Sequence, residues 1–115
     1  MIIETVAGVE ITDEILNKYF SNLVNLFFKI LPMKEKEEET LDVYLRTLQV
    51  ELLGCKNLII VLNNDSRILS LVSILQYLID YPECSVPDVR REVFHAISIC
   101  NKMKSLYGKS KGVSE

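Results

Sequence analysis

The sequence has few of the residues that most often build catalytic, metal or nucleotide sites. It contains no tryptophan, one histidine (His95) and three cysteines, and no two cysteines stand in a Cys-x-x-Cys pair. Its four glycines are scattered, so the sequence lacks a glycine-rich loop of the kind that cradles phosphate groups. We therefore expect a non-enzymatic protein that carries neither a cofactor nor a metal ion.

No segment has the length of a membrane span. The longest uncharged run, residues 68–79, has twelve residues, whereas a membrane helix needs about 20. The first residues, Met1 to Glu4, lack the basic segment and the apolar core of a signal peptide. An odd number of widely spaced cysteines suits a reducing compartment, so we expect a cytoplasmic protein that does not enter the membrane.

The overall composition is that of one folded domain. Of the 115 residues, 49% are hydrophobic and 25% are charged, which provides a core within an ordinary charged surface. The net charge of −3 gives the whole chain no general attraction to nucleic acid or anionic membranes. We divide the chain into an N-terminal arm (1–11), a single helical domain (12–108) and a flexible tail (109–115).

The N-terminal arm is rich in β-branched residues and is predicted to be extended. A coil that lies on the helices and a short strand both fit this composition. A single strand needs a partner, which we expect in another chain or in another copy.

The first helix is predicted over about 13–31. Thr12 has the side chain of an N-cap, and Asp13 and Glu14 follow it at the positive end of the helix dipole. Apolar residues then recur on one face at helical spacing: Leu16, Phe20, Leu23, Phe27 and Ile30. Pro32 is expected to end the helix, because a residue before proline is disfavoured in the α conformation.

The second helix is predicted over about 41–62. Its apolar stripe begins at Leu41 and continues through Gly54 to Leu62. A glycine inside a helix costs on the order of 1 kcal/mol relative to alanine, so Gly54 indicates a kink or a close helix crossing. Two helices broken at Gly54 are the alternative.

Two further helices are predicted over about 65–80 and 86–107. Asn64 or Asp65 is expected to cap the first of them, and Ser85 to cap the second. Residues 68–79 carry no charge, and a helix that is apolar on every side is expected to be buried on every side. The four helices and their short connections predict an all-α, antiparallel four-helix bundle with this uncharged helix at its centre.

The predicted bundle has more apolar surface than it can enclose. Three neighbours with one stripe each leave part of the uncharged helix uncovered, and the 41–62 helix has apolar residues off its stripe. Large exposed apolar patches mark interfaces, so we expect a homodimer with a self-complementary patch or a groove for a partner's helix. The candidate interface residues are Val43, Val50, Leu53, Ile60, Leu69, Ile74, Tyr77 and Ile99.

A different function fits the C-terminal part of the chain. Residues 86–115 contain six basic and three acidic residues, whereas residues 1–85 contain seven basic and thirteen acidic ones. An apolar helix, a proline-containing turn and a capped second helix over 74–89 resemble the start of a winged helix-turn-helix. That resemblance implies DNA binding through residues 85–107, although no break separates a second from a third helix and no wing follows Gly108. The candidate nucleic-acid contacts are Arg90, Arg91, Lys102 and Lys104.

Three smaller patterns have a structural as well as a functional interpretation. Glu92 and His95 have the Glu-x-x-His spacing of di-iron bundles, but such sites need a second histidine, so we expect a surface pair. Cys100 is five residues from His95 and on another helix face, so we expect it to be a buried structural thiol. The acidic run 37–39 is a docking patch for a basic partner or, more simply, a solvated connector.

The leading hypothesis from the sequence is a homodimeric, non-enzymatic interaction protein that acts as an adaptor, an inhibitor or an accessory subunit. A small helix-turn-helix-like DNA-binding regulator is the alternative.

Overall fold

The computed structural model describes residues 2–4, 10–58 and 65–107 of the chain. They form an all-α bundle of four long helices, preceded by a short hairpin and interrupted by one short helix. The elements are β1 (Ile2–Glu4), β2 (Glu10–Thr12), α1 (Asp13–Phe28), α2 (Ile30–Glu35), α3 (Leu41–Leu58), α4 (Ser66–Asp80) and α5 (Val86–Tyr107).

The N-terminal arm supplies both strands of a small antiparallel sheet. Ile2 pairs with Thr12, Ile3 with Ile11 and Glu4 with Glu10. The expectation that a strand here needs another chain is therefore wrong. The second strand, Glu10–Thr12, extends one residue beyond the arm, and it gives β1 a partner within the same chain.

The first helix does not end where the sequence suggested. Helix α1 ends at Phe28, and after Lys29 the chain enters α2, which contains Pro32. Proline is tolerated there because it lies in the first turn, where backbone N–H groups have no intrahelical acceptor in any case. The prediction that Pro32 stops the helical path is wrong; Pro32 belongs to the start of the next helix.

Helix α2 ends in a tight turn centred on Glu37. The Glu37 N–H donates to the Lys34 carbonyl at 3.1 Å, and the Glu38 N–H donates to the Met33 carbonyl at 3.0 Å. These two bonds form a Schellman motif, whose left-handed position usually holds glycine. Here Glu37 occupies that position with a φ of 53°, so this turn is strained.

Helix α3 is continuous over its described length and passes through Gly54 without a break. A Cβ atom added to Gly54 would meet nothing within 4 Å, so this glycine serves no close helix crossing. The alternative of two helices broken at Gly54 is wrong. The predicted end of this helix, residues 59–62, lies outside the described residues.

Three predicted N-caps are confirmed. The Thr12 hydroxyl accepts from the Ile15 N–H at 3.2 Å, and the Ser85 hydroxyl accepts from the Asp88 N–H at 3.3 Å. Asp65 caps α4 by accepting from the Arg67 N–H at 2.9 Å, and it is buried. Each cap satisfies one of the N–H groups that a helix leaves without a partner.

The helices pack as an antiparallel ring in the order α1, α3, α4, α5. Asn17, early in α1, donates to the carbonyl of Lys104, late in α5, at 3.0 Å. Tyr44 of α3 donates to the carbonyl of Leu26, in the last turn of α1, at 2.7 Å. On the other side of α3, Gln49 donates to the carbonyl of Val72 in α4 at 3.2 Å. Buried apolar side chains from all four helices fill the space between them.

Helix α4 is central to the core but is not buried on every side. Six of its apolar residues are buried, whereas Leu69, Ser70, Ser73 and Gln76 are exposed. The prediction of complete burial is wrong because a residue can be uncharged and still polar. The two serines and the glutamine give α4 a solvent face of the ordinary amphipathic kind.

The strain at Glu37 yields a stability prediction. Left-handed backbone costs a residue with a Cβ roughly 1–2 kcal/mol, so Glu37→Gly is expected to raise the free energy of unfolding by about 1 kcal/mol. Urea denaturation measures the change. Glu39→Gly is the control, because Glu37 is the only non-glycine residue with positive φ in the part of the chain described. An equal effect of both substitutions would contradict the assignment.

The exposure pattern of α4 yields a second prediction. Ile74→Asp buries a charge in the core and is expected to destabilise the fold by more than about 3 kcal/mol. Leu69→Asp is expected to change stability by less than about 1 kcal/mol, because Leu69 is 49% exposed. Circular dichroism during thermal unfolding compares the two variants, and similar losses would show that Leu69 also belongs to the core.

Candidate functional site

The outward side of α3 carries three large apolar residues, Val43, Val50 and Leu53, which we call the α3 outer face. Their exposed fractions are 63%, 68% and 37%. Val43 and Val50 lie on the opposite side of the helix from Leu48 and Leu52, which fill the core, and Leu53 lies at the edge of this outer side. Two helical turns separate Val43 from Val50, so these two residues follow one line along the helix, whereas Leu53 is rotated by about 60° from Val50.

The other interface candidates have different environments. Leu69 is exposed on α4, the helix that packs beside α3. Tyr77 is half-buried, and its ring lies 5.0 Å from that of Tyr81. Ile60 lies outside the described residues.

Two interface candidates are wrong, because Ile74 and Ile99 are buried in the chain's own core. Ile99 is three residues after Ala96 and four before Met103, which places it on the core side of α5. Both side chains contribute mainly to the core.

Two exposed phenylalanines that the sequence analysis did not select join α1 to α5. Phe28 is 41% exposed and Phe94 is 48% exposed. Their rings meet edge to face with centroids 5.9 Å apart, a favourable geometry for aromatic pairs. Each phenylalanine covers part of the other, so this pair adds to the packing of α1 against α5.

The four basic candidates on α5 do not share one face. Arg91 and Lys102 are eleven residues apart, which is close to three turns at about 3.6 residues per turn, so they lie on one side. Arg90 and Lys104, fourteen residues apart, lie on another side by the same argument.

The two arginines are also engaged with acidic groups of the chain. Arg91 lies 3.2 Å from Asp88 and 3.4 Å from Glu92, and Arg90 lies 3.7 Å from Glu35. In addition, α5 runs unbroken for 22 residues beside α4. A helix-turn-helix instead places a shorter recognition helix across its neighbour.

The Glu92 and His95 pair lies on the surface between α4 and α5. His95 is exposed, Glu92 is half-buried and contacts Arg91, and both line a shallow groove with Tyr77. Within the described residues, no three histidine, cysteine or acidic side chains are grouped to hold a metal ion.

Two cysteines, Cys55 and Cys100, have the environments of structural thiols. Cys100 is buried, and burial raises its pKa to about 12. Cys55 is half-buried beside Tyr19, and burial raises the pKa of both groups. Because the thiolate is the reactive form, these two thiols are protonated and poorly nucleophilic near neutral pH.

A cleft of about 290 Å³ lies at one end of the bundle, where α2, the start of α3 and the α4–α5 turn meet. Its deep wall is apolar, and its rim carries Glu37, Glu38, Glu39 and Asp42 with a single lysine, Lys34. The deep residues are Ile30, Leu41, Leu45, Leu78, Cys84 and Val89. We call this feature the acid-rimmed cleft.

Lys34 holds two sides of this cleft together. Its ammonium group donates to the Pro82 carbonyl in the α4–α5 turn at 2.8 Å. This bond connects α2 to the turn across the cleft. The sequence identified the acidic run but not the cleft, because the apolar residues beneath it come from four separate segments.

Comparisons with protein-family models, with curated proteins and with solved structures found no match to this chain. Within the described residues, no helix is both long enough and apolar enough to cross a membrane.

The buried thiol of Cys100 gives a reactivity prediction. At about pH 8, iodoacetamide is expected to leave Cys100 unmodified in the native protein while it alkylates the half-buried Cys84. Peptide mass spectrometry after a time course measures both rates, and denatured protein is the control, in which all cysteines react. Equal rates in the native state would show that Cys100 is accessible.

The same thiol makes stability depend on pH in a defined direction. The native state holds the Cys100 proton up to a pKa of about 12, whereas the ordinary thiol value is 9.0. Between these values the unfolded state loses the proton first, so the free energy of unfolding falls as the pH rises through this window. In a Cys100→Ala variant, the free energy of unfolding is expected to fall less steeply as the pH rises.

Proposed function

We propose that this protein is a non-enzymatic protein-binding module that forms a homodimer through the α3 outer face. The observation that carries the proposal is the exposure of Val43, Val50 and Leu53 on a helix whose opposite side already fills the core. Large exposed apolar patches mark interfaces, whereas single exposed apolar residues are ordinary.

A two-fold arrangement suits this face. The residues from Val43 to Leu53 span about 15 Å of helix at 1.5 Å per residue. When two copies pack antiparallel, Val43 of one copy lies beside Leu53 of the other, so a single patch is complementary to itself. Leu69 is a further exposed apolar residue on the adjacent helix α4.

The arrangement of charge supports protein binding over DNA binding. The basic residues of α5 lie on two sides, and both arginines contact acidic groups. Phosphate binding would require these ion pairs to break and the two sides to reach one backbone. The outer faces of α3 and α4 need no such rearrangement.

The decisive measurement is the mass in solution. At tens of micromolar, light scattering is expected to give about twice the 13.2 kDa chain mass. Val50→Asp with Leu53→Asp is expected to return the monomer mass while keeping the helical circular dichroism, because both side chains are exposed.

The matched control is Leu106→Asp. Leu106 is 48% exposed and lies on α5, across the bundle from α3, so this variant is expected to remain dimeric. A monomeric parent protein would contradict self-association. Retardation of DNA that is lost in Arg90→Glu with Lys102→Glu and that weakens steeply with salt would instead favour the DNA-binding function.

A further inference from the structure

The acid-rimmed cleft combines two properties that single out one kind of ligand. Its deep wall includes Ile30, Leu45, Leu78 and Val89, which are each at most 4% exposed. The cleft therefore opens directly onto the hydrophobic core. An apolar group that enters it leaves water and gains apolar neighbours.

The rim has negative charge that the chain does not neutralise. Asp42 is paired with Arg46 at 2.9 Å, and the ammonium group of Lys34 bonds to the Pro82 carbonyl. Glu37, Glu38 and Glu39 take part in none of the ion pairs among the described residues. Three carboxylates that form no ion pair within the described residues thus line the apolar opening.

The size of the cleft limits what can fill it. A volume of about 290 Å³ is at the lower end of small-molecule pockets. It accommodates one or two side chains but not a whole helix. An anchor residue that is held in a pocket and surrounded by polar contacts is the usual centre of a protein interface.

We infer that the acid-rimmed cleft binds a segment of a partner protein in which an apolar anchor side chain is flanked by lysine or arginine. The anchor enters the apolar opening, and the flanking cations pair with the glutamates of the rim. This inference rests on the protein-binding part of the proposed function. It is independent of the α3 outer face, which is made by different residues.

The same chemistry disfavours other ligands. Three unpaired carboxylates repel the phosphates of nucleic acid and the anionic headgroups of membranes. A metal ion would need grouped ligands, which are not found among the described residues. A basic, partly apolar peptide is the ligand that satisfies both the wall and the rim.

The test uses the full chain and two fluorescein-labelled peptides. The first has leucines separated by lysines and arginines, and the second has glutamates in place of every cation. The first peptide is expected to bind, with an affinity that falls as salt rises, and the second is expected not to bind. Amide and methyl NMR shifts caused by the first peptide should centre on Ile30, Leu41 and Val89.

Two double variants with the same change in net charge provide the control. Glu38→Gln with Glu39→Gln removes two rim charges. This double variant is expected to weaken the binding of the first peptide at least about threefold, which is the effect of two partly screened ion pairs. Ser98→Lys with Ser105→Lys changes two exposed positions on α5 by the same total charge and is expected to have a smaller effect.

Three results would overturn the inference. They are no binding of the first peptide, equal weakening in the two double variants, and NMR shifts centred on Val50 and Leu53. The last result would move peptide binding to the α3 outer face. The mass in solution is measured separately, so failure of the cleft is distinguishable from failure of the dimer.

Discussion

The burial of the apolar side of α4 is the constraint on which the rest of the structure depends. This side needs cover from two directions, and α3 and α5 supply it by packing antiparallel on either flank. Helix α1 then bridges α5 and α3 and closes the ring, through bonds such as Tyr44 to the Leu26 carbonyl. Because the inward stripes of all four helices fill the core in this way, the exposed residues Val43 and Val50 of α3 are not needed to fill it.

The two candidate surfaces follow from this division of residues. The α3 outer face exists because α3 has apolar residues on its outward side in addition to a complete inward stripe. The acid-rimmed cleft exists because the chain does not pass straight from α1 to α3. It makes α2 and a Schellman turn instead, and that detour leaves an opening above the core with three glutamates at its edge. The α3 outer face thus arises from apolar residues that the core does not need. The acid-rimmed cleft arises because the helices do not fully cover the core at one end of the bundle.

The sequence predicted the architecture well because periodicity and caps are local signals. Thr12, Asp65 and Ser85 were recognisable as caps, and the four long stripes indicated four long helices. The errors arose where a local rule had more than one outcome. Pro32 fits the end of one helix and the first turn of another, and Gly54 fits a crossing and an exposed helix equally well.

The candidate site was harder to predict, because the cleft joins segments that are far apart in sequence. The burial of Ile99 was also hard to predict, because it depends on the exact orientation of α5 in the bundle.

The pairing of α1 with α5 has a consequence for how the chain folds. The bond from Asn17 to the Lys104 carbonyl joins residues 87 positions apart, whereas α3, α4 and α5 are neighbours in sequence and in space. Closing a long loop before its contacts form is entropically costly, so pairs with short connections form most readily. The three later helices can therefore assemble as a local unit, and the contact between α1 and α5 is the one with the largest loop to close. Until that step is complete, the inward side of α5 lacks its cover, and the folding chain exposes a surface that the finished bundle conceals.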